Sequence, residues 1–243
     1  MVKEKIRLIE LFAGYGSQAL ALKYLGIPYE NHFVCEFDKY AMQSYNDIHG
    51  TNFDVSDVCD ITGKDLNVTD TDKYKYLITY SFPCTDLSLA GKRAGMQRDS
   101  GTRSSLLWQV ERLLQECADL QKENPEKYGL PQYLLMENVP QVISKDNLGL
   151  FSEWTGFLQS LGYDNYYDLL NGKDFGVPQN RERCFMVSML HSEGKTFKFP
   201  TPIPLEKRLK DVLEDSVDEK YYINSDKAQK LIDKLILDGQ LPN

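Results

Sequence analysis

The sequence predicts an α/β fold, a mostly parallel sheet with helices on both faces. Three observations carry that expectation. Apolar runs of strand length alternate with segments of helical period. A glycine-bearing loop joins the first strand to the first helix. The chain has 243 residues, enough for one large domain with a real core. Hydrophobic residues make up 42% and charged residues 26%, ordinary globular usage that excludes a disordered or fibrous chain.

The elements follow in order. Residues 6–12 are a short apolar run bounded by the glycines of residues 13–17, as expected for a buried strand. Residues 17–25 have helical spacing and stop at Gly26, with Pro28 beyond, the usual end of a helix. Residues 31–36 read as the second strand and 39–46 as the second helix. Further strands are expected over 76–82, 133–136 and 183–188. Residues 104–121 form a long helix, with Leu106, Val110, Leu113, Leu114 and Ala118 along one stripe. Pro200, Pro202 and Pro204 make an extended connector that divides residues 1–204 from a tail, 205–243. One stretch of the tail, 225–237, is amphipathic. The tail is too short to bury a core of its own, so it should pack on the main domain or on something outside the chain.

Charge and cysteine use narrow the function. The net charge is −8 and the pI about 5.0, which argues against a surface coated in basic residues for gripping nucleic acid or an anionic membrane. A local basic face remains open. Cys35, Cys59, Cys84, Cys117 and Cys184 are odd in number, lack a C-x-x-C pair, and have no histidine spaced to complete a zinc pattern, His32, His49 and His191 being scattered. No metal site is expected, and the thiols suit a reduced, cytoplasmic protein. The N-terminal MVKEKIRLIELF has charges through its apolar run, so it is neither a secretion signal nor a membrane span.

Four short segments carry chemistry. The first is G-x-G-x-x-A from Gly14 to Ala19, between a strand and a helix, where the glycines let the backbone approach a ligand at the helix N-terminus. Glu36 follows Gly16 by twenty positions, where a carboxylate would take hydrogen bonds from a ribose diol. Glu10, at the strand end, would repel the pyrophosphate of a dinucleotide but attract the sulfonium and ammonium of S-adenosylmethionine, by about 1–4 kcal/mol at 4 Å. Asp60, before Ile61, is expected at the third strand end, where it reads an adenine amino group or simply caps a turn.

The second segment, S-F-P-C-T-D-L-S from Ser81 to Ser88, puts Cys84 at the mouth of the sheet. It is there either a nucleophile or a small hydrophobe. Residues 85–104 then carry Lys92, Arg93, Arg98 and Arg103 against Asp86 and Asp99, the composition of a clamp on a polyanion. In the third segment, Glu137 ends an apolar strand and is either a proton donor or a surface cap. In the fourth, Arg181 and Arg183 share one face of a strand start. They hold a phosphate or base carbonyl, or form a structural ion pair with Glu137 or Glu182.

In this order, F-A-G-Y-G, F-P-C-T-D-L-S, M-E-N-V and P-Q-N-R-E-R resemble the cytosine-5 DNA methyltransferase family, from residue 6 to about 222. The resemblance implies a Rossmann-like, S-adenosylmethionine-dependent methyltransferase fold for residues 1–204 and double-stranded DNA as substrate. By resemblance Cys84 attacks carbon 6 of a flipped-out cytosine, Glu137 engages nitrogen 3, Arg183 the carbonyl at position 2, and Arg181 supports them. The cofactor pattern maps onto Phe12, Ala13, Gly14, Gly16, Ser17, Glu36, Phe37, Asp60, Ile61, Pro83 and Leu106, and DNA contact onto Ser88, Lys92, Arg93 and Arg98. Two alternatives are a non-catalytic nucleotide-binding module and an NAD-dependent oxidoreductase.

The sequence departs from the family pattern in three places. Thr85 stands where glutamine is usual, and Ser17 where the loop's further glycine is. The family also continues into a target-recognition domain and a returning glycine-asparagine motif. A truncated chain, a degenerate protein or the larger subunit of a split enzyme are the expectations, with a second subunit as possible partner and a bacterial or phage source. Weak cofactor binding and low activity alone are expected accordingly.

Overall fold

The computed structural model describes residues 5–84, 96–98 and 101–240. The strands are β1 (Ile6–Leu11), β2 (Tyr29–Cys35), β3 (Lys75–Tyr80), β4 (Tyr133–Asn138), β5 (Tyr163–Asn171) and β6 (Glu182–Leu190); the α-helices are α1 (Ser17–Tyr24), α2 (Lys39–His49), α3 (Leu107–Glu123), α4 (Leu148–Ser160) and α5 (Asp226–Leu237). One sheet runs in the order β2-β1-β3-β4-β6-β5. β1 pairs parallel with β2 and β3, β3 pairs parallel with β4, and β6 is antiparallel to both β4 and β5. The reversal of β6 has a simple cause. Only residues 172–181 separate β5 from β6, too few for the crossover that a parallel return needs.

Side-chain alternation along β1 sorts the helices onto two faces. Leu8 packs with Ala19 and Leu22 of α1, while Val34, Met42 and Tyr45 pack nearby from β2 and α2. Ile9 and Leu11 point the other way, into a larger core with Val110, Leu113 and Leu114 of α3 and Phe151, Trp154 and Leu158 of α4. There the Tyr80 and Trp154 rings meet edge to face at 5.8 Å. Burying a large apolar side chain is worth about 1.5–3 kcal/mol. α3 buries seven residues, from Leu107 to Ala118, and so ties β1, β3 and β4 together. The mostly parallel sheet covered on both faces is the expected architecture.

Some expectations need correction. The long helix opens as a 3-10 turn, Arg103–Leu106, before α3 begins. Asp60 does not end a strand: the third strand is β3, and residues 50–74 hold only an isolated bridge, Thr69 to Tyr128. Neither α4 nor β5 was foreseen. α4 contains Gly149 and Gly156, poor helix formers that packing on β5 overrides. β5 is an edge strand with Asp164, Asn165, Asp168 and Asn171 in its run, and nine residue pairs with β6 hold it. The proline connector is tied to the domain by a bridge from Ile203 to Phe175. Beyond it no described residue from 205 to 240 is buried, α5 included.

Candidate active site

In a doubly wound sheet, ligands bind where the strand order reverses, outside the carboxyl ends of the strands. Here the order reverses between β1 and β3. A cavity of about 530 Å³ opens there, walled by Phe12 after β1, by residues 35–38 after β2, by residues 56–59, by Ser81 and Pro83 after β3, and by Arg103 and Leu106. Of the residues named from the sequence for a cofactor, Phe12, Glu36, Phe37, Pro83 and Leu106 line this cavity. Phe12 holds a left-handed backbone, φ 58°, a costly conformation for a non-glycine residue, of a kind found at ligand sites. Phe37 is 73% exposed, a large aromatic face left open at the rim.

Glu36 carries the loop's polar anchoring. Its Oε2 accepts from the Gly14 amide at 2.8 Å and its Oε1 from the Asp38 amide at 2.8 Å. The carboxylate thus fixes the glycine loop relative to β2 while remaining in the cavity wall. Ala13, Gly14, Gly16 and Ser17 shape that loop but do not line the cavity. Gly16, φ 79°, opens α1 in the left-handed region. A Cβ on Gly16 would lie 2.3 Å from His49 Nε2 and 2.6 Å from Tyr45 Cε2, so only glycine lets the loop sit this close to α2.

Two other expectations shift in register. Asp60 is exposed and Ile61 is buried in the core, and neither lines the cavity. A turn, Asp60 N–H to Asp57 carbonyl at 3.0 Å, carries Asp60 past the cavity and presents Asp57 and Val58 in its place. Glu10 is also elsewhere. It is wholly buried on the α1–α2 side, with Tyr45 Oη donating to Oε2 at 2.6 Å and the Ala19 amide to Oε1 at 3.4 Å. Burial pushes its carboxyl up to about 7, and it does not line the cavity.

Cys84 is half-buried four residues beyond β3, and the chain leading to it is pinned at two carbonyls. Asn138 Nδ2 donates to the Phe82 carbonyl at 3.0 Å, and Ser104 Oγ to the Pro83 carbonyl at 2.9 Å. Asn138 Oδ1 also accepts from the Val139 amide at 2.8 Å, which locks the amide's orientation. On the neighbouring strand end Glu137 Oε1 lies 3.2 Å from Arg183 Nε, each side chain 22% exposed. Arg183 thus forms the ion pair with Glu137 that the sequence offers as one of its readings. Arg181 is exposed just before β6, so strand alternation does not relate it to Arg183. The thiols of Cys35, Cys117 and Cys184 are driven up by burial, to about 11, 12 and 12, and that of Cys59 upward by burial and Asp57.

A model of C-5 cytosine-specific DNA methylases matches residues 6–236. The chain belongs to that family. The type II methyltransferase M2.ScrFI of Lactococcus lactis subsp. cremoris is 32% identical to it, over 92% of this chain and 71% of its own length. The orphan methyltransferase M.SssI of Spiroplasma monobiae is 41% identical over 72% and 40%, and M.SPBetaI of Bacillus phage SPbeta 31% identical over 95% and 62%. The chain thus spans 40–71% of these relatives. Among solved structures, the Dnmt2 methyltransferase of S. pombe superposes with a TM-score of 0.68 at 23% identity, covering 95% of this chain and 66% of that one. A prophage-encoded DNA modification methyltransferase of E. coli gives 0.65 at 20%, covering 90% and 58%. These two likenesses establish the shared fold.

Within this family member, the DNA-contact candidates divide. Ser88, Lys92 and Arg93 lie outside the described residues. Arg98 is engaged by the protein itself: it pairs with Glu111 at 2.7 Å and Glu153 at 2.8 Å, and its guanidinium stacks 3.8 Å over Trp108. Met96, fully buried, accepts from Trp108 Nε1 through its carbonyl at 2.6 Å. Sequence reading missed Asp57, Val58, Ser56, Cys59 and Ser81 in the cavity wall. Asn138 of the M-E-N-V run is a further site residue; an amide ending a buried strand is the sequence signal for it. Among the described residues no helix is long and apolar enough to cross a membrane, and no cluster of His, Cys, Asp and Glu could hold a metal.

Proposed function

We propose that the chain methylates carbon 5 of cytosine in double-stranded DNA, with S-adenosylmethionine as donor. One observation carries the reading: the pinned Cys84 and the Glu137–Arg183 pair stand at adjacent strand ends, beside the cavity at the switch point. The cavity suits the cofactor's parts. The Glu36 carboxylate would take the ribose diol, Asp57 the adenine amino group, and Phe37, Pro83 and Leu106 the ring's faces. When bound, S-adenosylmethionine supplies an electrophilic methyl group. Phe12 and Gly14 shape the turn that admits it.

The residues at the strand ends divide the work. The ring carbon 5 of cytosine is a weak nucleophile until carbon 6 is attacked. Cys84 adds there as thiolate, forming an S–C6 bond and moving an electron pair toward carbon 5. Glu137 protonates or hydrogen-bonds nitrogen 3, and Arg183, already oriented by Glu137, neutralises the carbonyl at position 2. Once carbon 5 carries the methyl group, loss of its proton expels Cys84 and restores the ring. The base reaches these groups by leaving the duplex.

The chain's net charge of −8 and the engagement of Arg98 with two carboxylates support a further division of labour, in which most phosphate contacts and the target readout come from a recognition segment or second subunit. The test of the chemistry is a duplex with 5-fluorocytosine in the target, which blocks release of the thiol. A methylated covalent adduct at Cys84, absent in Cys84→Ser, is expected with S-adenosylmethionine, supplemented by the recognition part if needed. An adduct formed by Cys84→Ser as well, or methyl transfer by that variant, would overturn the mechanism.

A further inference from the structure

Glu10 is a buried acid that this mechanism does not use. It sits on the side of β1 away from the cavity, yet it is connected to the glycine loop through two rings. Tyr45 Oη donates to Glu10 Oε2 at 2.6 Å. The Tyr45 ring, itself fully buried, lies 4.5 Å from that of His49, whose Nε2 donates to the Tyr15 carbonyl at 3.0 Å. Gly16 rests directly on both rings, since a Cβ there would lie within 2.6 Å of each. On the loop's other side the Gly14 amide is bonded to Glu36. The loop is thus held between Glu36 in front and the Glu10–Tyr45–His49 column behind.

We propose that Glu10 is a positioning residue: its ionised carboxylate holds the Tyr45 phenol and, through Tyr45 and His49, seats residues 14–16 for cofactor binding. The inference rests on the S-adenosylmethionine reading. A hydrogen bond to an ionised acceptor is about twice as strong as a neutral one, so removing the charge loosens the column. The groups facing Glu10 are the phenols of Tyr45 from α2 and Tyr29 from β2, both kept neutral by burial and by Glu10 itself, and the Ala19 amide from α1. His49 stands behind Tyr45. No cation among the described residues offsets the burial, which is why the carboxyl sits at about 7 and both forms are populated near neutral pH. A carboxylate behind the loop also favours a cationic ligand in front of it, in the same direction.

The experiment compares the wild type, Glu10→Gln and Tyr45→Phe. Calorimetric titration with S-adenosylmethionine between pH 5.5 and 8.5 should show wild-type affinity rising about tenfold as pH passes 7, Glu10→Gln flat at the weak end, and Tyr45→Phe weakened at pH 8 with a smaller rise, the scale of one lost charge-assisted bond. At pH 8, without cofactor, amides 14–17 should exchange about tenfold faster in Glu10→Gln than in the wild type, on the same scale. Thermal melts check that each variant is folded. A Glu10→Gln protein with wild-type affinity and pH profile overturns the proposal. If the wild type binds no S-adenosylmethionine at any pH, the cofactor reading fails by itself. The exchange rates then decide the role of Glu10, and equal rates would refute it.

Discussion

Alanine at Gly14 and at Gly16 should have unequal effects, although the motif treats the two glycines alike. Both adopt left-handed backbone, φ 57° and 79°, so each alanine costs about 1–2 kcal/mol in conformation. Their surroundings differ. A Cβ at Gly14 meets nothing within 4 Å, while one at Gly16 meets His49 Nε2 at 2.3 Å and Tyr45 Cε2 at 2.6 Å. The Tyr45 ring cannot readily retreat, being fully buried with its phenol bonded to Glu10. Overpacking of this kind adds about 1–3 kcal/mol. Gly16→Ala should therefore lose about 3 kcal/mol against about 1 for Gly14→Ala, or roughly 6–12 °C against 2–4 °C of Tm in a chain of this size. Urea and thermal unfolding followed by circular dichroism measure both. Variants equal within about 0.5 kcal/mol would refute the claim that the loop is packed onto the rings.

Asp57→Ala should weaken S-adenosylmethionine binding about tenfold or more, the scale of a lost bond in a binding site, while Asp60→Ala stays within about twofold; the reverse order in calorimetry would restore the sequence-based register. Arg98→Ala should cost about 1–2 kcal/mol of stability, since its two ion pairs are partly exposed and its stacking on Trp108 adds a modest amount, with little change in the salt slope of DNA binding measured by anisotropy. Glu10 makes stability fall as pH rises. Its folded carboxyl lies at about 7 against an ordinary 4.5, so the folded state holds the proton more tightly. The penalty is absent below pH 4.5, grows through 7, and reaches about 3 kcal/mol. Urea titrations of wild type against Glu10→Gln from pH 5 to 8 should show that slope in the wild type alone. Arg183→Ala leaves Glu137 without its partner and should reduce kcat more than KM for DNA, as expected for a group acting on the ring in the transition state.

What was legible in the sequence follows physical range. β1, β3, β4 and β6 are largely apolar runs whose burial is written locally, β2 is apolar only over residues 33–35, and the glycine loop and Pro-Cys segment mark strand ends by their own backbone needs. β5 was not legible because its hydrogen-bond partner, β6, supplies what its Asp- and Asn-bearing run lacks. α4 was hidden for a similar reason, with Phe151, Trp154 and Leu158 burying a face that its two glycines obscure. Asp57 against Asp60 is a three-residue displacement set by one turn, which spacing alone does not resolve. Arg98 shows a deeper limit. A cluster of cations in sequence says nothing of where carboxylates from α3 and α4 will come to stand.

The sheet's two edges explain why the site lies where it does. At the amino edge, charges are consumed by one another. Arg7 of β1 bonds Glu30 of β2 at 2.7 Å and Tyr76 of β3 at 2.6 Å and stacks 3.6 Å over Tyr74. Lys75 pairs with Glu193 at 2.9 Å, and Glu193 accepts from Tyr133 at 2.9 Å. At the carboxyl edge, by contrast, Glu36, Asp38, Asp57 and Arg103 line one cavity, and among the described residues none is in an ion pair. Glu36 and Asp38 are satisfied by loop and helix amides, which orient a carboxylate without cancelling its charge. Arg183 and Glu137, which do pair there, would have to exchange part of that bond for the incoming base. The acidic chain thus keeps its amino edge electrostatically closed and its carboxyl edge open, and the open edge is where a cationic cofactor and a polar base would find partners.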